Sequence, residues 1–356
     1  MNRTGLTCLP DNCLVKLKSL RSFSAGDNCI SQLQDGLFDG LQHLTSISLP
    51  GNRISSIGLH VFSNASDLTN LRRISLEDNL LTSLEPWPII RGLVGSFTSK
   101  VYILLRFNLI SRFTNNLNYL YRCGTKVFFE VDIRNNLITH STDLLNGFNV
   151  TIVTAACLMN LHKAEGSKST KFDSMIQIGH NPYTCDCADF DVIKYDTYYY
   201  RAHLFRECYC SLPLRLTNTE IPRVRLSEFE CDIVVDCPAS CRCVYRPHNA
   251  TMHVDCTASN LSSLPVTLPT LTKSYANYKL VFDDNRLLMR LEGWKLIDNH
   301  GKVAVLDLSG SSIDEIDEDV WSNLTRIKVV SLSGNQLEVL PRSVHTSHTD
   351  NVKLLL

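Results

Sequence analysis

Apolar positions along this chain recur in one shape. Two alternating apolar residues are followed by an asparagine three positions on and a further apolar residue two beyond it. Leu44, Ile47, Leu49, Asn52, Ile54 and Ile57 fill the pattern in full, as do Leu71, Ile74, Leu76, Asn79, Leu81 and Leu84. Leu20, Phe23, Ala25, Asn28, Ile30 and Leu33 form an earlier copy. Ile103, Leu105, Asn108 and Ile110 follow, then Phe128, Val131, Ile133, Asn136 and Ile138. Ile152, Ala155, Cys157 and Asn160 make a weaker copy, and Ile176, Ile178 and Asn181 the last before a cysteine cluster. Successive asparagines lie 24, 27, 29, 28, 24 and 21 residues apart. The alternation predicts a short strand at each core, with alternate residues pointing into a stack. A period of this length with uneven spacing predicts solenoid turns with insertions on the convex side.

The pattern resumes after Cys256. Leu280, Phe282, Asn285 and Leu287 form one copy; Val303, Leu306, Leu308, Ser311 and Ile313 form another, with serine in the asparagine slot. Ile327, Val330, Leu332, Asn335, Leu337 and Leu340 form a third, and Val352 and Leu355 begin one more. One repeat cannot bury its own leucines; its neighbours do so, and stability is roughly a nearest-neighbour sum. The asparagine amide turns the chain and pairs with backbone groups that burial would otherwise leave unsatisfied. The expected fold is an α/β leucine-rich-repeat solenoid, with short parallel strands on the concave face and two internal disulfide-rich caps.

The cysteines place the caps. Asn181-Pro-Tyr-Thr-Cys185-Asp-Cys187 opens one unit, which closes at Cys231; Cys237-Pro-Ala-Ser-Cys241-Arg-Cys243 opens a second, which closes at Cys256. In the first, Cys185 pairs with Cys210 or Cys208, and Cys187 with Cys231; in the second, the four cysteines form two bridges. Sequence alone does not fix the connectivity. Zinc is the rival use of Cys-x-Cys, and the flanking repeats and sequons favour disulfides. Cys8 and Cys13 are close enough in sequence to pair, Cys157 fills an inward strand slot, and Cys29 and Cys123 have no assigned role. The expected domains are repeats over 1–181, a cap over 182–231, a second cap over 237–268, and repeats over 269–356.

Fourteen cysteines, eight of them clustered, point to an oxidising compartment. Six N-x-[ST] sequons, at Asn2, Asn64, Asn149, Asn249, Asn260 and Asn323, agree with a secreted glycoprotein. The net charge of −1 gives no basic footprint for nucleic acid. No apolar run is long enough to span a membrane, and no leader-like stretch opens the chain. Both ends read as interrupted repeats, so the chain is expected to be a fragment of a longer protein or an incomplete gene model.

The first cysteine unit resembles the C-terminal cap of extracellular leucine-rich repeats. The second, with Asn260-Leu-Ser-Ser-Leu-Pro265, resembles the N-terminal cap. A cap-to-cap junction inside one ectodomain resembles the invertebrate, multiple-cysteine-cluster type of Toll-like receptor, as does Tyr278-Lys-Leu-Val-Phe-Asp-Asp-Asn285. The resemblance implies a ligand-recognition ectodomain outside the plasma membrane. Its ligand would be a cystine-knot cytokine-like protein or a microbial product. It would form receptor homo- or heterodimers, anchored and signalling through a transmembrane segment and a TIR domain that this chain lacks. The alternative is a secreted Slit-like guidance or adhesion protein.

No catalytic, cofactor or metal constellation stands out. The eleven histidines are scattered, with His162 and His180 in repeat turns; no phosphate loop or nucleophile elbow occurs, and the chain reads as non-enzymatic. Asp314-Glu-Ile-Asp-Glu-Asp319 reads as a solvated loop in which Ile316 alone fits the core phase. Binding is expected on outward strand positions. These are Arg72, Arg73 and Ser75, with Glu77 and Asp78 beside them; Tyr102, Arg106 and Phe107; and Glu130, Asp132 and Arg134. Of these, Arg72, Arg73, Tyr102, Arg106, Phe107 and Arg134 are the candidate ligand contacts, since arginine and aromatic residues carry most interface energy.

Overall fold

The computed structural model describes residues 3–58, 60–61, 68, 70–84, 101–113, 129–143, 176–195, 205–270, 276–291, 302–321, 324, 326–340 and 352–356. The chain divides into two compact units, Met1–Val224 and Arg225–Leu356.

In the first unit, Ser22–Ser24, Ser46–Ser48, Arg73–Ser75, Val101–Leu104, Phe129–Asp132 and Ile176–Gln177 pair in parallel, in chain order, as one six-stranded sheet. Phe23, Ile47, Ile74, Ile103 and Val131 occupy one register row and are buried. Each rung ends at its asparagine. The Asn79 amide donates to the Leu76 and Glu77 carbonyls of its own rung and to Leu49 of the rung before. Its Oδ1 accepts from the Ile54 N–H. Asn28, Asn52, Asn108, Asn136 and Asn181 make equivalent bonds and are buried. A buried ladder of side-chain amides thus satisfies backbone groups that neither sheet nor water reaches.

The residue before each ladder position has a left-handed backbone: Asp27, Gly51, Asp78, Phe107, Asn135 and His180 in this unit. Glycine, asparagine, aspartate and histidine adopt that conformation more readily than other residues, and a bulky residue such as phenylalanine does so only under strain. Phe107, at φ 56°, is the exception in the column.

One expectation about the repeats needs correction, and one falls outside the described residues. The latter is the copy built on Ile152, Ala155, Cys157 and Asn160. Val131 and Asp132 pair directly with Ile176 and Gln177, and the Asn136 N–H donates to Asn181 Oδ1. The rungs of Asn136 and Asn181 are thus neighbours in the sheet; residues 144–175, Cys157 among them, lie outside those described, as does Cys123. At the far end, Val330 pairs with Leu354, so Leu354 rather than Leu355 takes the inward phase. A slip of one residue exchanges the two faces of a strand, and Leu355 accordingly turns outward.

The first unit ends in a compact lid joined by a Cys185–Cys210 disulfide. Tyr183, Phe190, Phe205 and Ile221 are buried beneath it. The Tyr183 hydroxyl donates to the Ile178 carbonyl at 2.9 Å, and burial pushes its pKa well above the ordinary tyrosine value. Asp189, buried on the α-helical side of the lid, accepts from the backbone N–H groups of Ser141 and Thr142 at 2.9 Å each. Burial raises its pKa against those bonds. Cys187 and Cys231 are also disulfide-bonded. Cys8 and Cys13 remain exposed thiols rather than pairing: the Cys13 N–H closes a turn onto the Pro10 carbonyl, and nearness in sequence does not supply bridging geometry.

The second unit opens with Cys231–Ile233, Arg242–Arg246 and Thr251–Asp255, an antiparallel run stapled by Cys237–Cys243 and Cys241–Cys256. Asn277–Val281, Val303–Asp307, Val329–Ser331 and Lys353–Leu355 then add in parallel. Leu280, Phe282, Leu306, Leu308, Val330 and Leu332 form its core. Asn285 and Asn335 carry the ladder, with Ser311 in the slot between them. Tyr278 donates to the Pro269 carbonyl at 2.6 Å, and burial raises its pKa to about 12.

Candidate binding surface

The register turns scattered outward residues into rows across the first sheet. One row reads Ser22, Ser46, Arg73, Tyr102 and Glu130; the next reads Ser24, Ser48, Ser75, Leu104, Asp132 and Gln177. The first two rungs thus present serines in both rows. Arg73 and Tyr102 stand side by side beyond them, both exposed. Among the described residues the Arg73 side chain makes no ion pair. Arg72 is half-buried, its guanidinium donating to the Leu71 carbonyl at 2.9 Å.

The remaining candidates belong to a charge network. Arg106 donates to Glu77 through Nη2 at 2.6 Å and Nε at 2.8 Å, and its Nε lies 3.5 Å from Asp132. Arg134 grips Asp132 with two bonds, at 2.9 and 2.8 Å, and reaches Glu207 at 3.8 Å. The bond to Asp132 holds the Arg134 guanidinium charged more firmly than usual. His180 Nε2 lies 3.6 Å from the same Glu207. Ser75 and Asp132, expected to face outward, are buried, Ser75 donating to Glu77. The small hydroxyl fills the sheet side of the network, and Asp132 is covered by the two arginines that bind it.

Arg106 and Arg134 therefore have carboxylate partners on neighbouring rungs, which the sequence reading missed. Aligning the repeats on their asparagines would have placed Glu77, Arg106 and Arg134 in one column. Phe107 is 54% exposed, with the Arg106 guanidinium 6.0 Å from its ring centroid. In the acidic run, Glu315 pairs with Arg290 at 2.9 Å and Ile316 is buried. Of the sequons, Asn249 and Asn260 are exposed; Asn2, Asn64, Asn149 and Asn323 lie outside the described residues, as does His162.

The second sheet carries a different face. His253 sits between Val244 and Lys279 in one register row, followed by Val305 and Val329. Its Nε2 is buried without a hydrogen-bond partner. Burial, with Lys279 and Arg246 nearby, lowers its pKa, against the pull of Asp255 and Glu230.

Neither a family model nor a curated protein matches the chain. Solved structures match its fold. The glycosylated form of the Drosophila Toll–Spatzle complex is similar over 94% of this chain and 45% of that one, at 20% identity and a TM-score of 0.59. The human 5T4 structure covers 64% of this chain and 85% of its own, at 16% identity and a TM-score of 0.41. The TLR13–ssRNA13 complex covers 99% and 53%, at 14% identity and a TM-score of 0.38. The chain spans about half the length of the Toll structure it matches. At such identities the likeness establishes the leucine-rich-repeat fold.

Proposed function

We propose that this chain is the ligand-recognition part of a Toll-like receptor ectodomain, of the type with more than one cysteine cluster. The observation that carries the reading is the order of the staples. A lid closed by Cys185–Cys210 follows one asparagine ladder, and a cap closed by Cys237–Cys243 and Cys241–Cys256 precedes another. The Toll–Spatzle likeness, over 94% of the chain, supports the same reading. In it, residues 1–181 and 269–356 are repeat blocks, with caps at 182–231 and 237–268 between them. The ligand is a cystine-knot cytokine-like protein or a microbial product. The receptor acts outside the plasma membrane, as a homo- or heterodimer. The longer protein supplies the membrane anchor and the TIR domain. The chain performs no catalysis.

The contact face is the Arg73–Tyr102 pair with the serine rows beside it. Arginine beside tyrosine, open to solvent on a rigid sheet, is suited to anchor a protein ligand. Arg106→Glu is unsuitable as a test, because it would gather three carboxylates with Glu77 and Asp132. Arg73→Glu with Tyr102→Ala should leave the stack intact. It should weaken binding of immobilised Spatzle, or of another cystine-knot cytokine-like protein that the wild-type chain binds, at least tenfold. Equal affinity of the variant and wild-type chains would remove this face from the proposal. Capped repeat blocks in series also fit a Slit-like secreted protein. Transcript sequence beyond Leu356 separates the two: an apolar span of about 20 residues followed by a TIR domain, or EGF-like modules without a span.

A further inference from the structure

On the flank of the first unit, the residue after each ladder asparagine forms its own column. It reads Cys29, Arg53, Leu80, Leu109, Leu137 and Pro182. Leu80, Leu109 and Leu137 are 44, 42 and 46% exposed. Their N–H groups donate to Ile54, Leu81 and Ile110, each on the preceding rung, so the three leucines stack one rung apart, about 4.8 Å per step. Phe107, exposed and left-handed, stands beside the middle one. Thr82, Ser111 and Thr139 border the stripe with hydroxyls on the other side.

The fold does not require this stripe. The same position in the second unit holds Asn260, Arg286, Ser312 and Gln336, and Arg53 fills it two rungs before Leu109. Nor does local stability favour Phe107, since a left-handed backbone costs a non-glycine residue roughly 1–2 kcal/mol. The four side chains together expose on the order of 300 Å² of apolar surface, the scale of a functional patch on a soluble protein.

We propose that this stripe joins two copies of the chain in the absence of ligand, related by a two-fold axis at Leu109. The column is its own complement under that operation. Leu109 meets the partner's Leu109, and Leu80 meets the partner's Leu137, the isologous contact a two-fold axis requires. The charges agree. Exposed Asp78, one rung below the axis, comes to the rung of the partner's Arg134. Exposed Arg53, two rungs below, comes to the rung where the partner's Glu207 carboxylate lies beside the partner's His180. A parallel arrangement would instead set Arg53 on Arg53 and Asp78 on Asp78. The stripe lies past the ends of the strands, apart from the Arg73–Tyr102 pair. The proposal therefore stands whether or not that pair binds a ligand.

Sedimentation velocity of the purified 356-residue chain tests it. A reversible dimer is expected at micromolar concentrations. Leu109→Arg places at the axis a residue type that the same position already holds at Arg53 and Arg286. It should raise the dimer Kd at least about tenfold, by removing two buried leucines and apposing two cations. Leu287→Arg on the second unit should change nothing. Mixing Leu80→Cys with Leu137→Cys chains should give a disulfide-linked pair beyond the wild-type background from Cys8, Cys13 and Cys29. A monomeric wild-type chain at 100 µM, or a dimer indifferent to Leu109→Arg, would overturn the proposal. Preferential linking of Leu80→Cys to itself would overturn the two-fold arrangement.

Discussion

Replacing Asn108 with alanine tests the ladder, because the structure shows which groups would lose partners. The Asn108 amide donates to Leu76 at 2.9 Å and Leu105 at 3.1 Å, and its Oδ1 accepts from the Leu81 N–H at 3.1 Å. The two carbonyls would keep one bond each. Leu76 still accepts from Asn79 at 3.1 Å, and Leu105 from Asn136 at 3.0 Å. The Leu81 N–H, on a buried residue, would be orphaned. An orphaned buried donor costs about 1–3 kcal/mol and each of the two other bonds about 0.5–1.5, so the expected loss is about 3–4 kcal/mol. Hydrogen exchange followed by mass spectrometry reads this locally. At about 1.4 kcal/mol per tenfold, amides of a peptide spanning Leu81 should exchange roughly a few hundredfold faster. Peptides from the second unit should be unchanged, since a stack transmits stability mainly between neighbours. Asn108→Ser should cost less, because Ser311 shows that a hydroxyl can accept from the backbone in this slot. Unaltered protection around Leu81 in Asn108→Ala would refute the reasoning.

Three further outcomes follow from the same geometry. Cys185→Ser opens a bridge with a sequence separation of 25; the chain-entropy relation gives a loss of about 3.5 kcal/mol, so secretion and Tm should both fall, and an unchanged Tm would count against the lid. Phe107→Asn relieves the left-handed strain and should raise the urea midpoint by the equivalent of about 1 kcal/mol; a lower midpoint would mean that the ring packs favourably in the free chain. For His253, the folded pKa lies below the ordinary value of 6.5, so the unfolded chain binds more protons between the two values. Its contribution is complete above pH 6.5 and is lost as pH falls; thermal unfolding from pH 7.5 to 5.5 should show a shallower pH slope in His253→Gln, and identical slopes would remove the histidine as the cause.

Inward positions were legible in the sequence because burial constrains them. A strand residue such as Ile74 must be apolar, and the residue that ends the rung must bond backbone on both sides, which asparagine does best. Outward positions carry no such constraint, and their meaning depends on residues a full rung away. Arg106 reads in sequence as a free hot spot. Its partner Glu77 lies 29 residues earlier, a separation set by the length of the convex segment and by nothing in the strand.

Cys208 shows the same logic at the end of the stack. Sequence left it as an alternative to Cys210 for the bridge to Cys185, and the bridge goes to Cys210 while Cys208 is buried outside any disulfide. The residue before it, Glu207, has a left-handed backbone at φ 60°, as the residue before each ladder asparagine does on the earlier rungs, and its carbonyl accepts from the His180 N–H. The Cys208 thiol points at the carbonyl of Arg206, two residues back, at 3.6 Å. Asn79 and Asn108 donate to carbonyls at that same offset. Cys208 thus occupies the ladder slot of the last rung. On the earlier rungs the amide oxygen accepts from the residue two past the preceding asparagine; here that residue is Tyr183, whose N–H donates to the Asn181 carbonyl at 3.0 Å, so no N–H awaits an amide oxygen. A small, weakly polar side chain suffices there. The residue that looked like a spare half of a disulfide is the point where the ladder stops.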